Sequence, residues 1–201
     1  MRQQLRVGAI RIAAGSALAL LIGTAAACSP PAPLPLNASG TWSARTLDHK
    51  YVTVSVPSNW YVGEAWKQPS SFTDLVGSYS NQSLSDPCTT GANSITCGPP
   101  LESLQPGTVL VEIFQNGSPA WTLDSEPGTP TTVSGQPARM TDLTGAQGQC
   151  TGLGADRSRS EFIPFPTNSD NWVEIDICSR GVADSVGARI MASVSVALPA
   201  T

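Results

Sequence analysis

The sequence predicts an α+β fold, with an antiparallel sheet of about five or six strands that is covered by a C-terminal helix and stapled by disulfides. Three observations predict it. Short runs of apolar or alternating residues recur between turn-rich stretches from residue 41 onward. One amphipathic pattern follows the last of these runs, near the C-terminus. Four cysteines lie in the same region, an even number that is typical of disulfides in exported proteins.

The first 27 residues predict an export signal. Arg2, Arg6 and Arg11 form a basic start, and residues 12–27 are uncharged and apolar or small. This uncharged run is short for a stable membrane-spanning helix, which needs about 20 apolar residues. Residues 1–27 are therefore expected to be removed as a signal peptide.

Three alanines stand directly before Cys28. Small residues before a cysteine at the end of a leader resemble the lipobox of bacterial lipoproteins, although that pattern favours Leu where this chain has Ala25. The resemblance implies that Cys28 carries a diacylglyceryl group and becomes the anchored N-terminus on the extracytoplasmic face of the cell membrane. Two or more acyl chains, such as palmitate, give stable anchoring. The alternative is an ordinary secretory signal followed by a stray cysteine.

Residues 28–40 predict a tether, because Pro and small residues dominate them and cannot pack a core. Residues 41–201 predict a single domain. Cleavage removes three of the eleven basic residues and none of the fifteen acidic ones, so the mature chain carries a charge of −7. A sparsely charged acidic domain argues against nucleic acid and anionic lipid surfaces as partners.

The first half of the domain predicts a strand that resumes after an interruption and is followed by a long connection. Residues Tyr51–Val56 alternate between apolar and polar side chains, and the strand resumes at Trp60–Val62 after Pro57. Residues 68–107 are rich in Ser, Gly, Pro and Asn and predict a loop, with one short helix at about residues 70–78. A loop of this length tends to be functional or variable.

A buried strand is predicted at Thr108–Phe114, which contains Glu112 as its single charge. Gly135 and Pro137 predict a turn, with another strand directly behind it at Ala138–Leu143.

The segments Asp156–Ile163 and Asn171–Cys178 predict an antiparallel hairpin. We expect the register that places Arg159 opposite Glu174 and Arg157 opposite Asp176, since it forms a solvated ladder of opposite charges. These arginines should lower the pKa of both carboxyls, which argues against catalysis by the acidic pair. The other face of the hairpin is expected to be apolar, with Phe162, Val173, Ile175 and Ile177.

The C-terminal helix is predicted at residues Ala183–Val194. Its apolar side chains follow helical spacing, whereas Gly187 weakens the prediction because glycine disfavours helix interiors. The apolar positions are Val186, Ile190, Met191 and Val194.

Four cysteines remain when Cys28 is assigned to the lipid, and they allow three pairings. We favour Cys88–Cys97, which closes a local loop, and Cys150–Cys178, which ties a loop to a strand end. A metal site is disfavoured because the chain has no CxxC pair and only one histidine. No cofactor is expected.

Several short patterns together resemble a known group of proteins. They are the V-P-x-x-W of residues 56–60, the V-x-G-x-P-A of residues 133–138, the strand bearing Trp172 and the final helix. They resemble small secreted actinobacterial lipoproteins, some of which have a PsbP-like α/β/α sandwich. The resemblance implies a membrane-anchored binding or accessory module and carries over no catalytic residue. The segment 88–97 is an insertion relative to that pattern, and helices on the second face are not evident.

Two tryptophans, Trp66 and Trp121, lie in loop-like contexts and could line a pocket for a glycan or apolar ligand. They could equally well pack against the edge of the core. Trp60 and Trp172 lie on predicted strands and are expected in the core.

The sequence as a whole predicts a non-catalytic binding or accessory module of the cell envelope, whose partner is an envelope protein or a small apolar or glycan ligand. An envelope hydrolase is the first alternative, and it would have to use His49, the only histidine. A structural envelope protein is the second alternative.

Overall fold

The structure is a computed structural model, and the leader, Cys28 and His49 lie outside its described residues. No helix among the described residues is long and apolar enough to cross a membrane. These residues are 32–36, 41–46, 52–67, 72–91, 95–165 and 168–196.

The described part of the chain contains thirteen strands and one α-helix. The helix, α1, spans Asp184–Ala192. The strands are Trp42–Thr46 (β1), Val52–Pro57 (β2), Tyr61–Gly63 (β3), Trp66–Lys67 (β4), Thr73–Ser80 (β5), Cys88–Thr90 (β6), Ile95–Cys97 (β7), Thr108–Gly117 (β8), Thr129–Val133 (β9), Gln136–Thr144 (β10), Arg157–Phe165 (β11), Asn168–Arg180 (β12) and Ser195–Val196 (β13).

Eight of these strands form the main sheet, in the order β3-β5-β8-β12-β11-β10-β9, with β4 also paired to β5. A small sheet has the order β1-β2-β13, and β6 and β7 form a separate hairpin. All the strand pairs are antiparallel. The fold is α+β as predicted, but the main sheet is larger than five or six strands and the helix is short.

The helix predicted at residues 70–78 is wrong, because residues 73–78 belong to strand β5. Leu75 and Tyr79 are buried on opposite faces of the sheet, and the small side chains of Ser78 and Ser80 are also fully buried. Pairing with β8 on one side and with β3 and β4 on the other provides the backbone hydrogen bonds. These long-range pairs outweigh the weak local preference of a Ser-rich segment.

One face of the main sheet packs against α1 and the small sheet. The apolar positions predicted for the helix are all buried in this core: Val186, Ile190 and Met191 lie on α1, whereas Val194 lies just beyond its end. The sheets contribute the rest of the core, including Val54, Val56, Val109, Val111, Ile113, Ile163, Val173, Ile175 and Ile177.

The second face of the main sheet is covered by the segments that join the strands. A smaller apolar cluster lies there and includes Leu104, Leu110 and Leu153 together with the buried disulfide Cys150–Cys178. The other disulfide, Cys88–Cys97, closes the β6–β7 hairpin. Both pairs are those favoured from the sequence.

The register predicted for the β11–β12 hairpin is wrong. Arg159 pairs with Ile177, and Asp176 pairs with Ser160, so the pairing differs by three residues from the charge ladder. An odd shift moves side chains to the opposite face. The arginines and the acidic pair of β12 therefore lie on different faces of the sheet, and Phe162 lies opposite Glu174 instead of on the apolar face.

Candidate functional site

A cleft with a volume of about 380 Å³ opens between α1 and strands β9 to β11. It lies on the face of the main sheet that carries the helix. About half of its wall is apolar, and polar side chains from the β9–β10 hairpin and from β11 make up the rest. The apolar wall residues are Val133, Met140, Ala188, Met191, Ala192 and Val194.

Arg159 and Glu161 bring charge into this cleft from strand β11. They are two residues apart and therefore point to the same face, towards the helix. Both are buried, with exposed fractions of 5% and 4%. Gly187 makes room for the guanidinium, because a methyl group at that position would overlap Arg159 Nη1 and lie 3.3 Å from Cζ. The glycine that weakened the helix prediction thus has a packing role.

Asp142 of β10 neutralises the arginine. Its Oδ2 lies 3.1 Å from Arg159 Nε, and its Oδ1 lies 2.6 Å from Arg157 Nε. Hydrogen bonds from Arg157 and the charge of Arg159 lower the pKa of Asp142. Arg157 also contacts Asp184 at the start of the helix, with Nη1 and Oδ2 2.6 Å apart. The arginines therefore pair with acids of β10 and α1, and not with Glu174 and Asp176.

Glu161 differs from these charges because it has an unsatisfied atom. Its Oε2 is buried and has no hydrogen-bond partner among the described residues. Burial raises the pKa of Glu161 to about 7, so both the protonated and the ionised form are accessible near neutral pH. A buried oxygen without a partner is costly. It can accept a hydrogen bond from a ligand when ionised and donate one when protonated.

A second cavity, of about 130 Å³, lies on the opposite face of the main sheet. Trp66 and Phe114 line it, and Glu112 adds a carboxyl group to its wall. Part of its wall is the segment Cys97–Pro99, which the Cys88–Cys97 disulfide attaches to β6. Trp66 therefore lines a cavity, which is one of the two placements considered from the sequence.

Glu112 belongs to a row of polar side chains that crosses four strands of this face. The register places Ser78 opposite Glu112, and Glu112 opposite Asp176. Ser160 follows Asp176 in the row and donates a hydrogen bond to its Oδ1. Glu174 lies two residues from Asp176 on the same strand face, and Asn116 Nδ2 donates to its Oε2 over 3.0 Å.

The acidic residues of this row have raised, not lowered, pKa values. Burial raises the pKa of Glu112 to about 7. Burial also raises the pKa of Asp176 to about 7 and that of Glu174 to about 8, with repulsion between neighbouring carboxyls adding to the effect. The prediction of depressed pKa values is wrong because Arg157 and Arg159 lie on the other face.

Trp121 is not among the residues that line the cavity beside Trp66. Its ring stacks on Trp172, with centroids 4.5 Å apart and planes 6° apart, and its Nε1 donates to Glu126. Trp172 is only partly buried, so it is not a core residue as expected, whereas Trp60 is buried in the core. Trp66 therefore lines a cavity, whereas Trp121 stacks on Trp172, so the two tryptophans predicted for one pocket have separate roles.

Sequence reasoning missed both the cleft and the row of buried acids. The sequence pattern predicts a solvated ladder for Arg159 and indicates no role for Glu161. The signal that could have revealed the cleft is Gly187, since a glycine within an amphipathic helix indicates that something packs closely against it. Within the described residues, no group of three or more His, Cys, Asp or Glu side chains is arranged to hold a metal ion.

Comparisons of the chain with protein-family models, with curated proteins and with solved structures found no match. The PsbP-like resemblance therefore stays a prediction.

Proposed function

We propose that this protein is a lipid-anchored lipoprotein of the extracytoplasmic membrane face, and that it binds a small amphipathic ligand in the cleft beside α1 without catalysing a reaction on it. The unpartnered, buried Oε2 of Glu161 in a cleft whose wall is about half apolar is the observation that carries this proposal. A cleft of this size with apolar walls and a few convergent polar groups is typical of small-molecule sites.

The chemistry of the cleft favours a hydroxylated headgroup with an apolar tail. A hydroxyl both donates and accepts, so it can satisfy Glu161 in either protonation state. Arg159 is already neutralised by Asp142, which makes a strongly anionic headgroup a poor match. The methionines Met140 and Met191 offer adaptable apolar contacts to a tail.

The anchor is supported by sequence features that lie outside the described residues, namely the leader and the alanines before Cys28. The two disulfides are consistent with an extracellular location. Labelling with radioactive palmitate tests the anchor directly: we expect label on the wild-type chain and none on Cys28→Ser. Label retained by Cys28→Ser would refute lipidation at this residue.

The ligand site is tested with octyl glucoside, which combines a sugar headgroup with one alkyl chain. Full-length protein is placed in phosphatidylcholine nanodiscs and titrated calorimetrically, with empty nanodiscs as the reference for partitioning. We expect saturable binding by the wild type, retained binding by Glu161→Gln, and at least about tenfold weaker binding by Glu161→Leu, because only Leu lacks hydrogen-bonding groups.

Glu102→Gln is the matched control, since Glu102 is exposed on a loop. Equal affinity of Glu161→Leu and wild type, or no saturable binding above empty nanodiscs, would refute the proposed site. The alternatives of an envelope hydrolase and a structural envelope protein stay hypotheses, and His49 lies outside the described residues.

A further inference from the structure

The cavity beside Trp66 is on the opposite face of the sheet from the proposed ligand cleft and needs a separate explanation. Glu112 is 2% exposed and lines this cavity, yet its Oε2 has no hydrogen-bond partner among the described residues. Ser78 Oγ and Asp176 Oδ2, on either side of it in the polar row, are also buried without partners. Two of these three oxygens belong to carboxyl groups, which only accept when ionised, so they indicate a missing hydrogen-bond donor.

The missing donor should carry positive charge. Glu112, Asp176 and Glu174 form an acidic group on this face, and only burial, other carboxyls and neutral hydrogen-bonding groups affect their pKa values. Arg157 and Arg159 are committed to the other face. A cation that enters the cavity would compensate a buried carboxylate that has no counter-ion of its own.

The walls of the cavity restrict the kind of cation. Trp66 and Phe114 are aromatic, and aromatic faces attract organic ammonium groups. A volume of about 130 Å³ corresponds to roughly four water molecules, so only a small group fits. The unpartnered oxygen of Glu112 needs a hydrogen-bond donor, which a primary ammonium supplies through its N–H groups and a quaternary ammonium does not.

We propose that the cavity beside Trp66 binds the primary ammonium group of a small amine, with Glu112 as the hydrogen-bonding counter-ion and Trp66 and Phe114 against its alkyl part. The disulfide-held segment Cys97–Pro99 closes one side of this site. The same chemistry could be provided by a free amine or by the ethanolamine headgroup of a lipid.

The probe for the test is ethylammonium, titrated into full-length protein in phosphatidylglycerol nanodiscs, which lack amine headgroups. The signal is the NMR shift of the Trp66 indole N–H, assigned with Trp66→Phe. We expect saturable shifts when ethylammonium binds the wild type. The wild type should bind tetramethylammonium at least tenfold more weakly, and Glu112→Gln should bind ethylammonium at least tenfold more weakly than the wild type does. Glu102→Gln, an exposed matched control, should bind like the wild type.

Binding should also depend on pH in a defined direction. The cation binds the ionised carboxyl, so affinity should rise as pH increases through about 7, the pKa of Glu112. Nanodiscs containing phosphatidylethanolamine distinguish the two sources, since a headgroup in the site would compete with ethylammonium.

Several results would overturn the proposal. They are the absence of saturable shifts, equal affinity for tetramethylammonium, unchanged binding by Glu112→Gln, or tighter binding of Ca²⁺ than of ethylammonium at the same Trp66 signal. None of these results bears on octyl glucoside binding in the cleft of Glu161, so the two proposals fail independently.

Discussion

Replacing the buried carboxyl of Glu112 by an amide should stabilise the protein at alkaline pH and leave it unchanged at acidic pH. Burial raises the pKa of this group from 4.5 to about 7. A raised pKa means that the folded state favours the protonated form. The stability linked to that proton is fully present below pH 4.5 and is lost as the pH rises through about 7.

The magnitude follows from the shift. About 2.5 pKa units at 1.36 kcal/mol each give about 3 kcal/mol of stability that the wild type loses between acidic and alkaline pH. The Glu112→Gln variant lacks this ionisation. Removing the charge also relieves its repulsion of Asp176, whose pKa the Glu112 charge helps to raise. We therefore expect the variant to be about 3 kcal/mol more stable than the wild type at pH 8, and nearly equal to it at pH 4.

Urea denaturation followed by circular dichroism at pH 4, 6 and 8 measures this difference. The exposed Glu102→Gln is the control and should follow the wild type at every pH. If Glu112→Gln were destabilised at pH 8, or if the difference between wild type and variant did not change with pH, the interpretation of Glu112 as an uncompensated buried acid would be wrong.

Three further predictions concern packing. Gly187→Ala should destabilise the protein by about 1–3 kcal/mol in urea denaturation, instead of stabilising the helix, because the new methyl group displaces the Arg159 guanidinium. Removing the Cys150–Cys178 disulfide by the double substitution Cys150→Ala/Cys178→Ala should lower the free energy of unfolding by about 4 kcal/mol in the same assay. Removing the Cys88–Cys97 disulfide should lower it by about 3 kcal/mol, because that disulfide joins residues 9 apart in sequence and the first joins residues 28 apart. The stacked rings of Trp121 and Trp172 should produce an exciton couplet in circular dichroism, and Trp121→Ala should abolish it. An unchanged couplet in this variant would contradict the stacking.

Elements with a strong local pattern could be predicted from the sequence. The alternation of β2 was read correctly, and Val52, Val54 and Val56 are all buried in the core. The apolar run of β8 predicted a buried strand, and the structure buries Val109 and Leu110 on opposite faces. In each case the information lies within a few residues, because strand periodicity alone decides which side chains face the core.

Strand β5 could not be predicted in this way. Its pattern is interrupted between Leu75 and Gly77 by an irregularity in the pairing with β8, which breaks the two-residue alternation. Ser78 and Ser80 are fully buried although serine is usually exposed. Their burial is decided by the facing strands and by the bond that Ser80 Oγ donates to Val109 O over 2.7 Å. A local pattern contains no information on such partners.

The candidate sites were missed for one specific reason, which is a break in register near the tip of the β11–β12 hairpin. The innermost pair, Phe165 with Asn168, has the register that the charge ladder requires. The next pair joins Pro164 to Trp172, so three residues of β12 are inserted on one side only. The bulge is fixed by a neighbouring segment, since Ser118 N donates to Asp170 O over 2.8 Å.

This insertion decides where every charge of the hairpin lies. Three is an odd number, so the insertion exchanges the faces as well as the partners along the rest of the strand pair. With the register of the tip, Arg159 would face Glu174, and both charges would be satisfied. With the observed register, Arg159 lies under α1 beside Asp142, and Glu174 lies on the other face near Asp176. The arginine of the cleft and the uncompensated acids thus have a common structural cause. A variant that lacks residues 169–171 would lose the bulge but keep Pro164 opposite Trp172, so it should retain the raised pKa values on one face and the cleft on the other.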